Sequence, residues 1–370
     1  IIRPALNESI GYNSNVTGLS PAPSSWFLET APSVAIDSQW SQSRVGALLS
    51  ADNFNYFSAS NQNLTNAVGS IGGAYTSGRS SVSLAYSILL QHELPTDIGA
   101  PITTTPVPYV VNDIRSDYTY DFGRLSLTPN IEFQTYRFGN GSLPTNLTFQ
   151  NSQSFQNRNV VQGGVTAAYK ITDQQNGVLV LRGINQNFPS TPTGQLSPDS
   201  NSAMVLVGVE SKYTGTWLYR VLVGAETRQF KAYPSHTAPI IEANAVWTPR
   251  GRTTVTGVIR REIEDPTEPD TNGFTLTGAS LVLDQEIYHN ILAQGRLQYQ
   301  YLKPLQGGGN ESNFTVGAGV SWLVNRNVRL ALNYDYTDQK GSSGQIGTVN
   351  RFVGTPYTRN LVMLTMRLAL

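Results

Sequence analysis

The chain repeats one pattern from end to end: its side chains alternate between apolar and polar with period two. In an extended strand that period places successive side chains on opposite faces. From Asp113 to Phe122, the residues Ile114, Ser116, Tyr118, Tyr120 and Phe122 share one parity, while Asp113, Arg115, Asp117, Thr119 and Asp121 share the other. Tyr219, Val221, Val223 and Ala225 likewise oppose Arg220, Gly224, Glu226 and Arg228, with Leu222 breaking the set. Leu297, Tyr299 and Tyr301 oppose Gln294, Arg296, Gln298 and Gln300, and the split returns between Arg329 and Thr337. No segment carries an apolar stripe of helical period, so the chain reads as all-β.

About eighteen such runs can be placed, each roughly ten residues or a little longer, the length a membrane strand requires. They fall near 4–16, 27–39, 43–56, 63–76, 80–92, 112–122, 125–138, 158–171, 177–187, 203–213, 217–231, 239–248, 253–264, 273–287, 291–303, 313–323, 327–338 and 358–370. Tight connections such as Gly78-Arg79, Gly123-Arg124 and His289-Asn290 alternate with long polar ones such as Pro95 to Val110, Gly139 to Asn157 and Gly341 to Pro356. A Greek-key sandwich has no reason to keep that beat. A closed antiparallel up-and-down transmembrane β-barrel does, with both termini on the short-turn side. So many strands enclose a lumen too wide for side chains to fill, so the polar parity is expected to face water inside and the apolar parity lipid outside. The whole of 1–370 is expected to form one barrel domain.

Composition narrows the function. Lysine plus arginine number 25 and aspartate plus glutamate 25, which gives no basic surplus for nucleic acid. Cysteine is absent, which removes disulfides, thiolate nucleophiles, Cys-based zinc sites and Fe–S clusters. No run approaches 18 apolar residues, so no membrane-spanning helix is expected, and Ile1-Ile2-Arg3-Pro4 does not read as a signal peptide. The three histidines, His92, His236 and His289, sit near strand ends or in loops, and no Ser-x-x-Lys, His-Glu-x-x-His or Walker-type motif occurs. Glu262 and Glu264 share a strand face, where paired carboxylates read more simply as lumen lining than as glycosidase machinery. No enzyme, metal or cofactor is expected.

Aromatic residues gather near strand ends, among them Trp26, Phe27, Trp40, Tyr56, Trp217, Trp247 and Trp322, as girdles at a water–lipid interface would. The last run sets Val362, Leu364, Met366, Leu368 and Leu370 against Arg359, Met363, Thr365 and Arg367. A chain ending in an amphipathic strand resembles bacterial outer-membrane proteins, although those usually finish on phenylalanine and this one on Leu370. The opening segment Gly11-Tyr12-Asn13-Ser14-Asn15-Val16 resembles the start of the family called putative β-barrel porin 2. The resemblance implies an outer-membrane barrel and, because members are often implicated in exopolysaccharide secretion, a polysaccharide cargo with a periplasmic export partner.

Turning the polar parity inward nominates as pore-lining Arg115, Asp117, Asp121, Glu132, Arg182, Glu210, Lys212, Arg220, Glu226, Arg228, Glu242, Arg260, Glu262, Arg296, Arg329 and Asp335. Charges of both signs on neighbouring strands can form ladders that fix register. An arginine-bearing wall can equally attract anionic sugars or other anions. The stretch from Pro95 to Val110 is stiff enough to fold inward as a constriction, and equally suited to a solvated flap or a surface-contact loop. Three readings follow: a conduit for exported polysaccharide, a general or anion-leaning diffusion porin, and a barrel scaffold or surface-interaction protein. Outer-membrane lipid is the common partner; oligomeric state stays open.

Overall fold

A computed structural model describes residues 1–19, 22–101, 103–142, 152–211, 215–268, 271–346, 349–352 and 356–369. Each alternating run forms a strand, and each strand pairs antiparallel with its neighbours in sequence. The first seventeen are β1 (Ile2–Asn13), β2 (Ser25–Gln39), β3 (Ser43–Tyr56), β4 (Leu64–Ser77), β5 (Ser80–Glu93), β6 (Val107–Asp121), β7 (Leu125–Phe138), β8 (Arg158–Lys170), β9 (Gln175–Asn187), β10 (Ser200–Ser211), β11 (Trp217–Phe230), β12 (His236–Arg250), β13 (Thr253–Glu264), β14 (Phe274–Tyr288), β15 (Ile291–Pro304), β16 (Glu311–Leu323) and β17 (Val328–Gly341). A small hairpin, β18 (Ser343–Ile346) with β19 (Val349–Phe352), stands where only a loop was expected. The last strand, β20 (Tyr357–Ala369), pairs with β17 on one side and with β1 on the other. That second pairing, from Ala5–Ala369 to Asn13–Leu361, closes eighteen strands into a barrel.

The largest boundary error is at β6, expected from 112 and found from Val107. Pro108 lies second in the strand opposite His92, and its carbonyl accepts the Gly139 N–H at 2.8 Å. Proline is tolerated at a strand's start, so the run extends past it. At the other end of the barrel, Gly78 with φ +58° allows the two-residue turn between Ser77 and Ser80.

The outer wall is apolar. Leu49, Ile71, Leu84, Ile131, Val207, Leu332 and Leu364 are all exposed on it. Four tryptophans, Trp40, Trp217, Trp247 and Trp322, lie exposed at the short-turn end, and Trp26 lies at the long-loop end. Trp217 and Trp247 face each other in register with stacked rings 5.4 Å apart. Phe27 corrects the expected girdle. It is buried, its ring occupying the space a side chain at Gly11 would need and packing on Phe54 and Tyr56.

The inner wall also departs from strict alternation. On β9 to β12 the inward positions carry Val178, Val180, Met204, Leu206, Leu222, Ala238 and Ile240, all buried in one cluster. The break at Leu222 therefore marks an inward apolar residue. Curvature is the cause: Arg182 on β9 reaches Glu242 on β12, three strands away, at 3.5 Å. Where a wall bends so tightly, inward side chains converge and exclude water. Leu206 stands opposite Gly224, and Leu222 opposite Gly208. A Cβ at either glycine would overlap the neighbouring backbone, at the Val205 or Val221 carbonyl.

Leu222→Ala should therefore lower barrel stability by about 2–5 kcal/mol, as a core truncation does. Val223→Ala, one residue along on the lipid face, should cost clearly less. Denaturant unfolding of the two variants in detergent micelles measures the difference, and equal losses would contradict a packed inner corner.

Candidate functional site

The loop joining β5 to β6, residues 94–106, crosses the outer mouth of the lumen. In a ring of eighteen strands, β14 to β16 stand roughly opposite β5 and β6. Gly99 reaches that far wall: its N–H donates to Glu311 Oε2 at 3.0 Å, and its carbonyl accepts the Thr267 hydroxyl. Gly99 has φ +73°, and a Cβ there would press on Leu302 and Phe274, so glycine is required twice over. Nearer β20, the Tyr357 hydroxyl donates to the Thr96 carbonyl at 2.8 Å. On the side of β3 and β7, the Thr104 carbonyl accepts Gln62 Nε2 at 2.7 Å and the Thr104 N–H donates to the Ser142 carbonyl at 2.7 Å. Thr96, Thr103 and Val107 are buried. Pro95, Pro101 and Pro106 stiffen the loop and leave fewer N–H groups to satisfy. Within the loop, Asp97 Oδ2 accepts the Leu94 N–H at 2.8 Å and the Asp97 carbonyl accepts the Ala100 N–H at 3.1 Å.

The opening motif supports this loop. Asn13 Oδ1 accepts the Asn15 N–H at 3.0 Å, Asn15 Oδ1 accepts the Gly18 N–H at 2.8 Å, and both asparagines are buried. These side-chain turns bend the chain off β1 so that Gly18 lies against Tyr357 and Thr96.

Between loop 94–106, strands β6 to β8 and the start of the β13–β14 connection lies a cavity of about 280 Å³. Tyr109, Tyr136, Phe138 and Phe274 give it aromatic walls, and Glu93, Asp97, Glu264, Asp265 and Arg158 line it with charge. Tyr109 and Phe138 stack at 5.0 Å, and the Arg158 guanidinium lies 4.0 Å from the Tyr136 ring centroid. Arg158 Nε is 2.7 Å from Asp265 Oδ2, although its N–H is not aligned on that oxygen. Arg228 Nη1 approaches Asp265 Oδ1 at 3.0 Å, so one carboxylate, following β13, links Arg158 at the start of β8 to Arg228 on β11. Burial holds the Asp97 carboxyl above its ordinary value, outweighing the Leu94 N–H and the charge of Arg359.

Most residues nominated from sequence stand on the inward parity, tied in pairs. Arg220 meets Glu210 at 3.1 Å and Arg260 meets Glu262 at 2.6 Å. Arg296 grips Asp335 with two bonds of 2.7 and 2.5 Å, passing over Gly317, where any side chain would collide with both. Arg115, Asp117 and Glu132 border a cavity of about 570 Å³, and Arg329 borders one of about 480 Å³ with Arg252, Asp284 and Arg367.

Four nominations need correction or fall away. Glu226 and Arg228 are each only 2% exposed, so they do not line open water; Arg228 is enclosed by Ser202, Glu226, Asp265 and the Ile263 carbonyl. Asp121 ends β6 and accepts the Gly123 N–H at 2.6 Å, capping a turn. Lys212 lies outside the described residues. Glu93, Asp97 and Arg158 were missed. Arg158 shares parity with Gln162, but the intervening inward Val160 hid it; Asp97 sits in a loop, where no period operates.

A closed barrel with an apolar exterior and a polar interior is an outer-membrane channel of the porin type. The chain belongs to the family described as Putative beta-barrel porin 2, whose model matches residues 1–370. It is a protein of the bacterial outer membrane. No curated protein matches the chain in sequence. Among solved structures, the outer membrane protein opdK from Pseudomonas aeruginosa superposes with a TM-score of 0.50 at 10% identity, over 100% of this chain and 99% of its own. Pseudomonas aeruginosa OccK2 (OpdF), solved in complex with glucuronate, has a TM-score of 0.50 at 9% identity, over 100% of this chain and 98% of its own. At these identities the likeness is one of fold.

Arg228→Ala would leave Glu226 and Asp265 facing each other without the cation between them. Removing one partner of a buried ion pair costs about 3–5 kcal/mol. The melting temperature of the folded band on semi-native gels should fall sharply, and an unchanged value would mean the cluster carries no stability.

Proposed function

We propose that the protein is a passive channel for small water-soluble solutes, with loop 94–106 setting its narrowest passage. The observation that carries this reading is the loop's path: it starts from β5, reaches Glu311 on the opposite wall, and is held by buried hydrogen bonds at Thr96 and Gly99 and a half-buried one at Thr104. A loop fixed at several walls divides the outer lumen into small openings. Those suit single solutes better than a polymer strand, so the small-solute reading is preferred to the polysaccharide conduit. Paired charges along the inner wall support water filling at little energetic cost, because each ion keeps a partner as well as solvent.

Planar-bilayer recording tests the proposal. The purified protein should give discrete conductance steps in KCl, and replacing residues 96–105 by a short Gly-Ser link should raise the step at least twofold. Absence of steps from folded protein would contradict any channel. Unchanged steps after shortening would remove the loop from the conduction path. Loss of secreted polysaccharide on gene deletion, with small-solute uptake intact, would favour the export reading instead.

A further inference from the structure

The geometry points to the cavity beside loop 94–106 as a binding site for a small organic cation, an amine or a guanidine, in transit through the channel. This deepens the channel reading and rests on it. Acidic groups outnumber basic ones around the cavity: four carboxyl groups, Glu93, Asp97, Glu264 and Asp265, face a single guanidinium, Arg158, so a second cation entering there would find groups ready to ionise against it. Asp265 is already engaged by Arg158 and Arg228. Among the described residues, no cation lies within ion-pair distance of Glu93, Asp97 or Glu264.

A second observation is independent of charge counting. Glu93 lines the cavity, yet its Oε2 atom is sealed from solvent and has no hydrogen-bond partner. A buried acceptor left unmade costs free energy, and a turn of the Glu93 carboxyl into the cavity would let an entering donor recover it.

The walls show what kind of donor fits. The Arg158 guanidinium already rests 4.0 Å from the centroid of the Tyr136 ring and 5.7 Å from that of Phe138. An aromatic face beside carboxylates holds cations through the ring quadrupole, more strongly where water is scarce. A free amine or guanidine would meet the same wall with three unmatched carboxylates around it. An anion there would meet an excess of carboxyl groups in a poorly hydrated place, with Arg158 already held by Asp265. A compact metal ion is a poorer candidate, since no group of three metal-ligating side chains is found among the described residues. At about 280 Å³ the cavity suits a solute of amino-acid size.

Three probes of similar size decide the matter: L-arginine, its uncharged isostere L-citrulline, and glucuronate. With folded protein in detergent, calorimetry should register arginine binding, at least tenfold weaker citrulline binding, and no glucuronate binding. The double variant Glu93→Gln with Glu264→Gln should weaken arginine at least tenfold. In bilayers, arginine added on the loop side should interrupt the KCl current. Equal binding of arginine and citrulline by the unaltered protein, or preference for glucuronate, would overturn the assignment even if the variant fails to fold. KCl conductance with no arginine effect would overturn the site and leave the channel standing. Arginine binding without conductance would support the site and overturn the channel.

Discussion

Every part of this protein depends on backbone hydrogen bonds that have nowhere else to go. In hydrocarbon an unpaired N–H or C=O costs several kcal/mol, so a sheet that spans a membrane must close on itself. The pairing of β1 with β20 meets that requirement at the two ends of the chain. Closure then fixes what each side chain faces. With period two and no free edge, one parity is committed to acyl chains and the other to the enclosed space. Trp217 stacked on Trp247 at the turn end, with Tyr12 against Trp26 at the loop end, marks the two interfaces.

The enclosed space is not uniform. Over β9 to β12 the wall curves enough for Val180, Leu206, Leu222 and Ile240 to form a dry corner, stiffening one side of the barrel. Elsewhere the inward charges pair along and across strands, as Arg296 does with Asp335 over Gly317. At the outer mouth, where loop 94–106 meets Glu93 and Glu264, neither carboxyl group has a cation within ion-pair distance among the described residues. In the proposed channel, the loop that crosses the lumen is also the element that gathers these acidic groups, so passage and selectivity would meet in one place.

Alternation made the barrel legible, and the beat of short and long connections made its orientation legible, because both follow from local backbone geometry. Parity also puts Arg220 and Glu210, or Arg260 and Glu262, on a common face, and each pair is in contact there. Parity names a face and says nothing of what stands opposite. The burial of Glu226 and Arg228 depends on Asp265, which arrives from a loop thirty-seven residues beyond Arg228. The inward turn of Phe27 depends on the empty space at Gly11 in the neighbouring strand. Loop 94–106 was readable as stiff, but its direction is set by Glu311, Tyr357 and Gln62, which lie in three distant segments. Composition favoured no charge, yet the cavity is acidic, because averages over the chain conceal where the carboxylates meet.

The central claim is that the apolar parity touches lipid and the polar parity touches enclosed water. The absence of native cysteine permits a clean test by introducing one at a time along β15: Leu297→Cys, Gln298→Cys, Tyr299→Cys and Gln300→Cys. In reconstituted vesicles a charged, membrane-impermeant thiol reagent should modify Gln298→Cys and Gln300→Cys, while Leu297→Cys and Tyr299→Cys react only with a lipid-soluble one. Equal labelling of all four positions by the charged reagent, or the opposite alternation, would contradict the account.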